Sequence, residues 1–114
     1  MNERLEETLG EMTALERDLH DLISKRFADG KLLAEAKEGY AIAKANMLAS
    51  LRKEGYPATL AQDLARGEES VAALRKLRDV MQVSYDTRLE TINAVKRQMT
   101  RLEIKARSLS GVPR

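Results

Sequence analysis

The 114-residue sequence contains no cysteine, no tryptophan, one histidine and one phenylalanine. Without cysteine, neither a disulfide framework nor a thiolate metal site can form. Aromatic residues make up only 4% of the chain, whereas charged residues make up 33%. Few aromatics combined with many alanine, leucine, glutamate, lysine and arginine residues are typical of long helices and coiled coils, not of a compact globular core.

Long apolar segments are also missing. No apolar run approaches the roughly 20 residues that a helix needs to cross a bilayer. Residues 1–4 lack the basic-then-apolar plan of a signal peptide. We therefore expect a cytoplasmic protein that does not associate with a membrane.

No catalytic constellation is recognisable in the sequence. His20 is the only histidine, which excludes Ser–His and multi-histidine arrangements within one chain. Glu16 precedes His20 by four residues, but a carboxylate metal site in a helix bundle uses Glu-x-x-His spacing, and Arg17 occupies that position. The six glycines are scattered singly, so there is no phosphate-binding loop. We predict no catalytic residue, no cofactor and no metal site, and hence not an enzyme.

A heptad repeat in the C-terminal half is the strongest positive signal. Steps of alternating three and four residues connect apolar positions over more than five heptads, and only two of the twelve positions are polar. This pattern predicts one long helix over residues 68–108. The twelve positions are Val71, Leu74, Arg78, Met81, Tyr85, Arg88, Ile92, Val95, Met99, Leu102, Ala106 and Leu109.

The N-terminal half carries the same repeat, behind a capping residue at Asn2. Asp29-Gly30 would ordinarily indicate a turn, but the apolar phase resumes in step beyond it. We therefore favour a continuous or bent helix over residues 3–54, with two helices split at Asp29-Gly30 as the alternative. The repeat positions are Leu5, Thr8, Met12, Leu15, Leu19, Leu22, Arg26, Asp29, Leu33, Ala36, Tyr40, Ala43 and Met47.

Between the two long elements, Gly55 and Pro57 end the first helix, and a short corner helix is predicted over residues 60–66. Gly67 is expected to take the left-handed conformation after it. Residues 1–109 are predicted to form a single helical domain. Residues 110–114 are expected to be a flexible tail or the scar of an expression vector's protease site.

Charge predicts how the two long helices run. Residues 1–22 contain seven acidic and two basic residues, a net charge of −5, whereas residues 88–114 contain two acidic and seven basic residues, a net charge of +5. Coulomb attraction favours an arrangement that places these ends side by side. The predicted fold is therefore all-α, a long antiparallel helical hairpin resembling a coiled coil.

Both helices carry more apolar residues than one seam can bury. This excess predicts a homodimer or tetramer that completes a helix bundle, or a protein partner that supplies the missing helices. A monomeric three-helix fold would also hide some of them. The additional residues are Leu9, Ile23, Leu32, Leu48, Leu51, Leu77, Val80, Val83, Leu89 and Ile104.

Seven residues are candidates for binding a partner. Arg78 and Arg88 interrupt the seam. Their stems are expected to pack along it while their heads turn outward or meet an acid such as Glu16 or Asp29, or else one of them faces a groove for an anionic partner. Tyr56 is a candidate aromatic anchor at the corner. The basic stripe, which we define as Lys96, Arg97, Arg101 and Lys105, either faces the acidic N-terminal helix or binds phosphates.

Residues 40–105 resemble small all-helical proteins encoded by bacteriophages and prophages. The residues that carry the resemblance are Gly55-Tyr56, Thr59-Leu60-Ala61, Leu64-Ala65-Arg66-Gly67, Val71, Arg75, Asp79, Tyr85, Ile92 and Lys96. The resemblance implies a helical hairpin that acts in a bacterial host cell, and it brings no catalytic residues.

Three functions are compatible with these observations. The leading hypothesis is a non-enzymatic protein-interaction module, which in a phage would be an inhibitor or modulator of a host nucleic-acid-processing or defence enzyme. The second hypothesis is a nucleic-acid-binding accessory protein that uses the basic stripe. This one is less favoured, because the net charge is only +2 and no aromatics are interleaved for base stacking. The third is a structural assembly protein.

Overall fold

The computed structural model describes residues 2–111, which form three α-helices: α1 (Glu3–Lys53), α2 (Ala58–Gly67) and α3 (Glu69–Ser110). No strand occurs within these residues. The predicted fold class is confirmed: the protein is an all-α, antiparallel helical hairpin with a short corner helix. The chain divides into two compact units, one formed by residues 28–85 and the other by the residues on either side of that segment.

The predicted heptad positions form the seam between α1 and α3, and we use the word seam for these positions. Every one of them is buried or half-buried. In the unit that contains both ends of the chain, every described residue away from the seam is exposed. The 3.5-residue repeat therefore identified the contact faces of both long helices.

Helix α1 continues without interruption through Asp29 and Gly30, so there is one helix here and not two. Gly30 serves close packing instead of a turn. A Cβ atom built on Gly30 would lie 3.2 Å from Cε1 of the Tyr85 ring, closer than a normal contact. The missing side chain lets the tyrosine of α3 pack directly against the backbone of α1.

A Schellman motif ends α1. Gly55 has a φ of 102°, which an L side chain rarely adopts. The amide of Tyr56 donates to the Leu51 carbonyl at 3.2 Å, and the amide of Gly55 donates to the Arg52 carbonyl at 3.0 Å. The Arg52 guanidinium then donates to the Tyr56 carbonyl at 2.9 Å. These bonds fix the path of the chain into the corner.

Helix α2 begins two residues earlier than predicted because Pro57 is its N-cap and accepts a hydrogen bond from the Ala61 amide at 2.8 Å. Ala61 and Ala65 are completely buried, so α2 packs through its smallest apolar side chains. The prediction of a left-handed Gly67 is wrong. Gly67 is the last helical residue, and the chain turns at Glu68 in an extended conformation with φ −64° and ψ 136°.

Glu68 caps α3. Its carboxylate accepts hydrogen bonds from the Ser70 hydroxyl and, at 3.0 Å, from the Val71 amide. The Ser70 hydroxyl, followed by the Val71 and Ser70 amides, lowers the pKa of Glu68 below its ordinary value of 4.5. This carboxylate satisfies amide groups that the first turn of a helix leaves without partners.

Asn2 connects the two ends of the hairpin. Its side-chain oxygen accepts a hydrogen bond from the Arg4 amide at 3.0 Å, and its side-chain nitrogen donates to the Leu109 carbonyl at 3.3 Å. Helix α3 extends to Ser110, two residues beyond the predicted end, and Gly111 follows with a φ of 72°. The predicted flexible tail therefore begins no earlier than Gly111, and residues 112–114 lie outside the described residues.

Candidate interaction surfaces

In the unit formed by residues 28–85, the hairpin has two different sides. On one side, a groove of about 670 Å³ lies between α1 and α3. The groove residues outside the seam flank it on one side in both helices. The residues that flank the seam on its other side in α1 and in α3 therefore lie together on the opposite side of the hairpin. The groove residues are Lys37, Tyr40, Ala41, Lys44, Ala45, Leu48, Arg78, Asp79 and Gln82.

The side opposite the groove carries a surface that we call the apolar face. Four large side chains on it are about half exposed: Leu32 at 50%, Ile42 at 53%, Leu77 at 45% and Val80 at 48%. Val83, at 64%, adjoins it. Smaller residues separate the large ones, and two of these are polar but uncharged. The face consists of Leu32, Gly39, Ile42, Asn46 and Ala49 on α1 and Ala73, Leu77, Val80 and Ser84 on α3.

The α1 row of the apolar face also carries two charged residues, Glu35 between Leu32 and Gly39, and Lys53 four residues after Ala49. Both side chains are exposed. Neither has an ion-pair partner among residues 2–111. Between these two residues, from Gly39 to Ala49, the uncharged amide of Asn46 is the one polar side-chain group of the row.

The ten additional apolar residues noted in the sequence divide into two groups. Leu48 and Leu51 are half-buried, whereas the other eight are at least 39% exposed. Sequence reasoning overlooked other exposed apolar residues, of which Ile42 and Phe27 are the most exposed, Phe27 at 72%. Ile42 could have been found, because it follows Leu32 and Gly39 on one helical row.

Arg78, a predicted candidate, is held in place by its neighbours on the groove side. Its guanidinium carbon lies 4.5 Å from the centroid of the buried Tyr40 ring. Its Nε and Nη2 atoms donate to one carboxylate oxygen of Asp79 at 3.0 and 2.9 Å. The acid that meets Arg78 is therefore its neighbour in sequence, not Glu16 or Asp29. Arg88 is half-buried on the seam, as its heptad position predicts.

Lys44 contributes a second cation beside the same ring. Its Nζ atom lies 5.9 Å from the Tyr40 centroid, within the range of a cation–π interaction. With Lys37 and Arg78 it makes three cations along the groove against one carboxylate, Asp79. This side of the hairpin is consequently basic, in contrast to the apolar face.

Tyr56 helps to end α1 through its backbone and is also partly exposed to solvent. Its amide and carbonyl are both bonded within the motif that ends α1, and the residue is 38% exposed. Sequence reasoning missed the two leucines that follow it, Leu60 at 45% and Leu64 at 41% exposure. They face outward because α2 turns Ala61 and Ala65 inward. The corner thus presents three apolar side chains.

All four residues of the basic stripe are exposed. None of them has an ion-pair partner in the described part of the chain. The acidic residues Glu3, Glu7 and Glu11 of α1 are likewise exposed and without such a partner there. Within the described residues these acids therefore form no ion pair with the basic stripe, and the stripe is exposed to solvent.

No protein-family model, no curated protein and no solved structure matches this chain. Candidate sites therefore rest on the chain's own residues.

Residues 2–111 contain few groupings of side chains that could carry out chemistry. No group of three or more histidine, aspartate or glutamate side chains in that range could hold a metal ion. Glu16 and His20 are both exposed on α1. The lowered pKa of Glu68 is accounted for by its capping bonds. None of the three described helices is long and apolar enough to cross a membrane.

Proposed function

We propose that this protein is a non-enzymatic helical interaction module and that a protein surface packs on its apolar face. The observation that carries the proposal is the cluster of half-exposed Leu32, Ile42, Leu77 and Val80 on one side of the hairpin. Burying a large apolar side chain contributes roughly 1.5–3 kcal/mol. Because these four side chains are only about half buried in the single chain, burying the rest of them against a partner would contribute part of that free energy to binding. Helices that pack on such a surface complete a bundle core.

The resemblance to small helical phage proteins extends the proposal to a partner class. A phage-encoded module of this kind would act as an inhibitor or modulator of a host nucleic-acid-processing or defence enzyme. A structural assembly protein would use the same face to build an oligomer. Both roles require a partner to bind at the apolar face. The first experiment therefore tests binding at this face, before the two roles are distinguished.

Two leucine substitutions test the apolar face directly. Leu77 lies on the face and is 45% exposed, whereas Leu9 lies in the other unit and is 47% exposed. Leu77→Glu and Leu9→Glu therefore introduce the same charge at nearly equal exposure. Tagged wild-type and variant proteins are compared by affinity capture from bacterial lysate and by capture of untagged copies of the chain. Leu77→Glu should abolish a binding event that Leu9→Glu preserves.

The proposal fails if Leu77→Glu captures every protein that wild type captures, including a second copy of the chain. Circular dichroism of both variants provides the control for folding. Because both leucines are about half exposed, their substitution should leave the helical content unchanged.

A second candidate function is nucleic-acid binding through the basic stripe, and the observation that favours it is the absence of ion pairs on these four exposed cations among the described residues. Fluorescence anisotropy with labelled DNA and RNA tests it. Arg97→Ala with Arg101→Ala should weaken binding and flatten the salt dependence by about 0.9 per lost phosphate contact. Arg4→Ala with Arg17→Ala removes two exposed arginines from α1 as the matched control. Equal affinities for the two double variants would exclude the stripe.

A further inference from the structure

We propose that the occupant of the apolar face is a second copy of this chain, packed antiparallel about a two-fold axis that passes midway between Ile42 and Asn46 of α1. This inference rests on the proposed function, because it specifies the partner of the same surface. It commits to one arrangement that can be tested apart from the function itself.

Charge complementarity supports the antiparallel direction. Glu35 and Lys53 are equally distant from the midpoint, nine residues or about 13 Å along the helix. The two-fold axis therefore brings Glu35 of each copy to Lys53 of the other. Both residues are exposed and lack an ion pair in the described part of the chain. A parallel arrangement would instead oppose Glu35 to Glu35 and Lys53 to Lys53.

The spacing of the α1 row is compatible with a two-fold axis at this point. The row reads the same in both directions, with steps of four, three, four, three and four residues from Glu35 to Lys53. Rotation about the midpoint places Gly39 of each copy opposite Ala49 of the other, which gives two such pairs in the dimer. These small residues allow two helices to approach closely.

Asn46 distinguishes this axis from its neighbours along the helix. Rotation about the midpoint sets each Asn46 against Ile42 of the other copy. A polar residue at a helix–helix contact lowers stability but fixes the register. An axis through Asn46 itself would pair the two amides, but it would set Lys53 opposite Gly39 and leave Glu35 without a cation. The charge pairs therefore favour the axis between Ile42 and Asn46.

The other side of the same unit is a poorer surface for self-association. Its groove carries Lys37, Lys44 and Arg78 against a single acid, Asp79. Two copies that met there would bring like charges together, which is unfavourable. The apolar face has no such cluster.

The chain exposes 8245 Å² in total. A standard-size interface buries about 800 Å² on each partner. An interface of that size would occupy about a tenth of this surface.

A charge exchange tests the arrangement. Glu35→Lys and Lys53→Glu should each weaken the dimer roughly tenfold, because each converts two attractive pairs into repulsive ones. The double variant restores both pairs and should return the dissociation constant to near the wild-type value. Sedimentation equilibrium at 100 mM and 500 mM salt measures these constants. Single variants that dimerise as tightly as wild type would overturn the Glu35–Lys53 pairing.

The amide of Asn46 provides a second test with the opposite sign. Asn46→Leu replaces a polar group that faces Ile42 with an apolar one, at two symmetric places, and should tighten the dimer roughly tenfold. Asn93→Leu makes the same change at an exposed position of α3 in the other unit and should leave the dissociation constant unchanged. If the two variants behave alike, Asn46 is outside the interface and the proposed axis is wrong.

Spin labels test the position of the axis, since the chain has no native cysteine. Labels at Glu38→Cys and Ala34→Cys lie on exposed positions outside the apolar face. In an antiparallel dimer the axial separation of two labels grows by about 3 Å per residue from the midpoint, to roughly 18 Å at position 38 and 30 Å at position 34. Pulsed electron paramagnetic resonance should therefore give a longer distance at position 34. Equal distances at the two positions would indicate a parallel dimer and overturn the proposal.

A chain that remains monomeric at 100 μM in both salts would also overturn the proposal. The proposed function would survive that result if Leu77→Glu still abolished capture of a foreign protein. It would fail together with this inference only if no binding event of either kind depended on Leu77.

Discussion

The packing of Tyr85 against Gly30 makes a prediction about two glycines in the same helix. At Gly10, no heavy atom lies within 4 Å of a built Cβ, whereas at Gly30 the Tyr85 ring lies at 3.2 Å. Alanine in an open helix interior is about 1 kcal/mol better than glycine. Gly10→Ala should therefore raise the free energy of unfolding by about 1 kcal/mol.

At Gly30 the same gain is opposed by overpacking, which typically costs about 1–3 kcal/mol in a packed site. Gly30→Ala should therefore lower the free energy of unfolding by about 1 kcal/mol. If Tyr85→Ala first removes the ring, Gly30→Ala should become stabilising by about 1 kcal/mol, as at Gly10. The double-mutant cycle then gives a coupling energy of about 2 kcal/mol between the two residues.

Urea denaturation followed by circular dichroism measures wild type and all the variants. The protein concentration is held constant, because self-association would add to the apparent stability. In thermal unfolding, 1 kcal/mol corresponds to roughly 4 °C for a domain of this size. The reasoning is refuted if Gly30→Ala stabilises the wild-type background as much as Gly10→Ala does, since that would mean the tyrosine is not packed on this glycine.

The remaining predictions concern the ends of the helices. Gly55→Ala should lower the free energy of unfolding by about 1 kcal/mol or more, because φ is 102° there; chemical denaturation measures it, and an unchanged stability would contradict the left-handed turn. Asn2→Ala should cost about 1 kcal/mol through loss of the cap, with Asn2→Asp retaining the bond to the Arg4 amide; equal losses in both variants would exclude the cap. Because the folded pKa of Glu68 is lowered, its stabilising effect is present above pH 4.5 and is lost as the pH falls further. Melting temperatures should therefore show an advantage of wild type over Glu68→Gln that disappears in acid, whereas Glu69→Gln, in the same first turn, should show a smaller change.

The sequence by itself determined the helices and the seam. Heptad spacing depends only on the 3.6-residue period of the helix, and every repeat position from Leu5 to Leu109 is buried or half-buried in the structure. The absence of glycine and proline within α3, and the Gly55 and Pro57 signals after α1, were enough to locate the corner to within two residues.

The tertiary structure decided which apolar residues beyond the seam remain exposed. Leu48 and Leu32 look alike in the sequence, but in the structure Leu48 is partly buried, whereas Leu32 is an exposed residue with 50% of its surface accessible. Local periodicity states only that such residues lie beside the seam. Periodicity does not indicate which side of the hairpin the short helix α2 packs on, because that depends on contacts between residues distant in sequence.

The same limit applies to individual side chains. Arg78 was recognised as a polar seam position, but its stacking on Tyr40 depends on the register between α1 and α3. Gly30 was recognised as unusual for a helix, but only the position of the Tyr85 ring explains it. In α2, the alanines face inward and the leucines outward, because the small side chains permit close packing there. The period of one helix is encoded locally, whereas the choice of what it packs against is made by the whole fold.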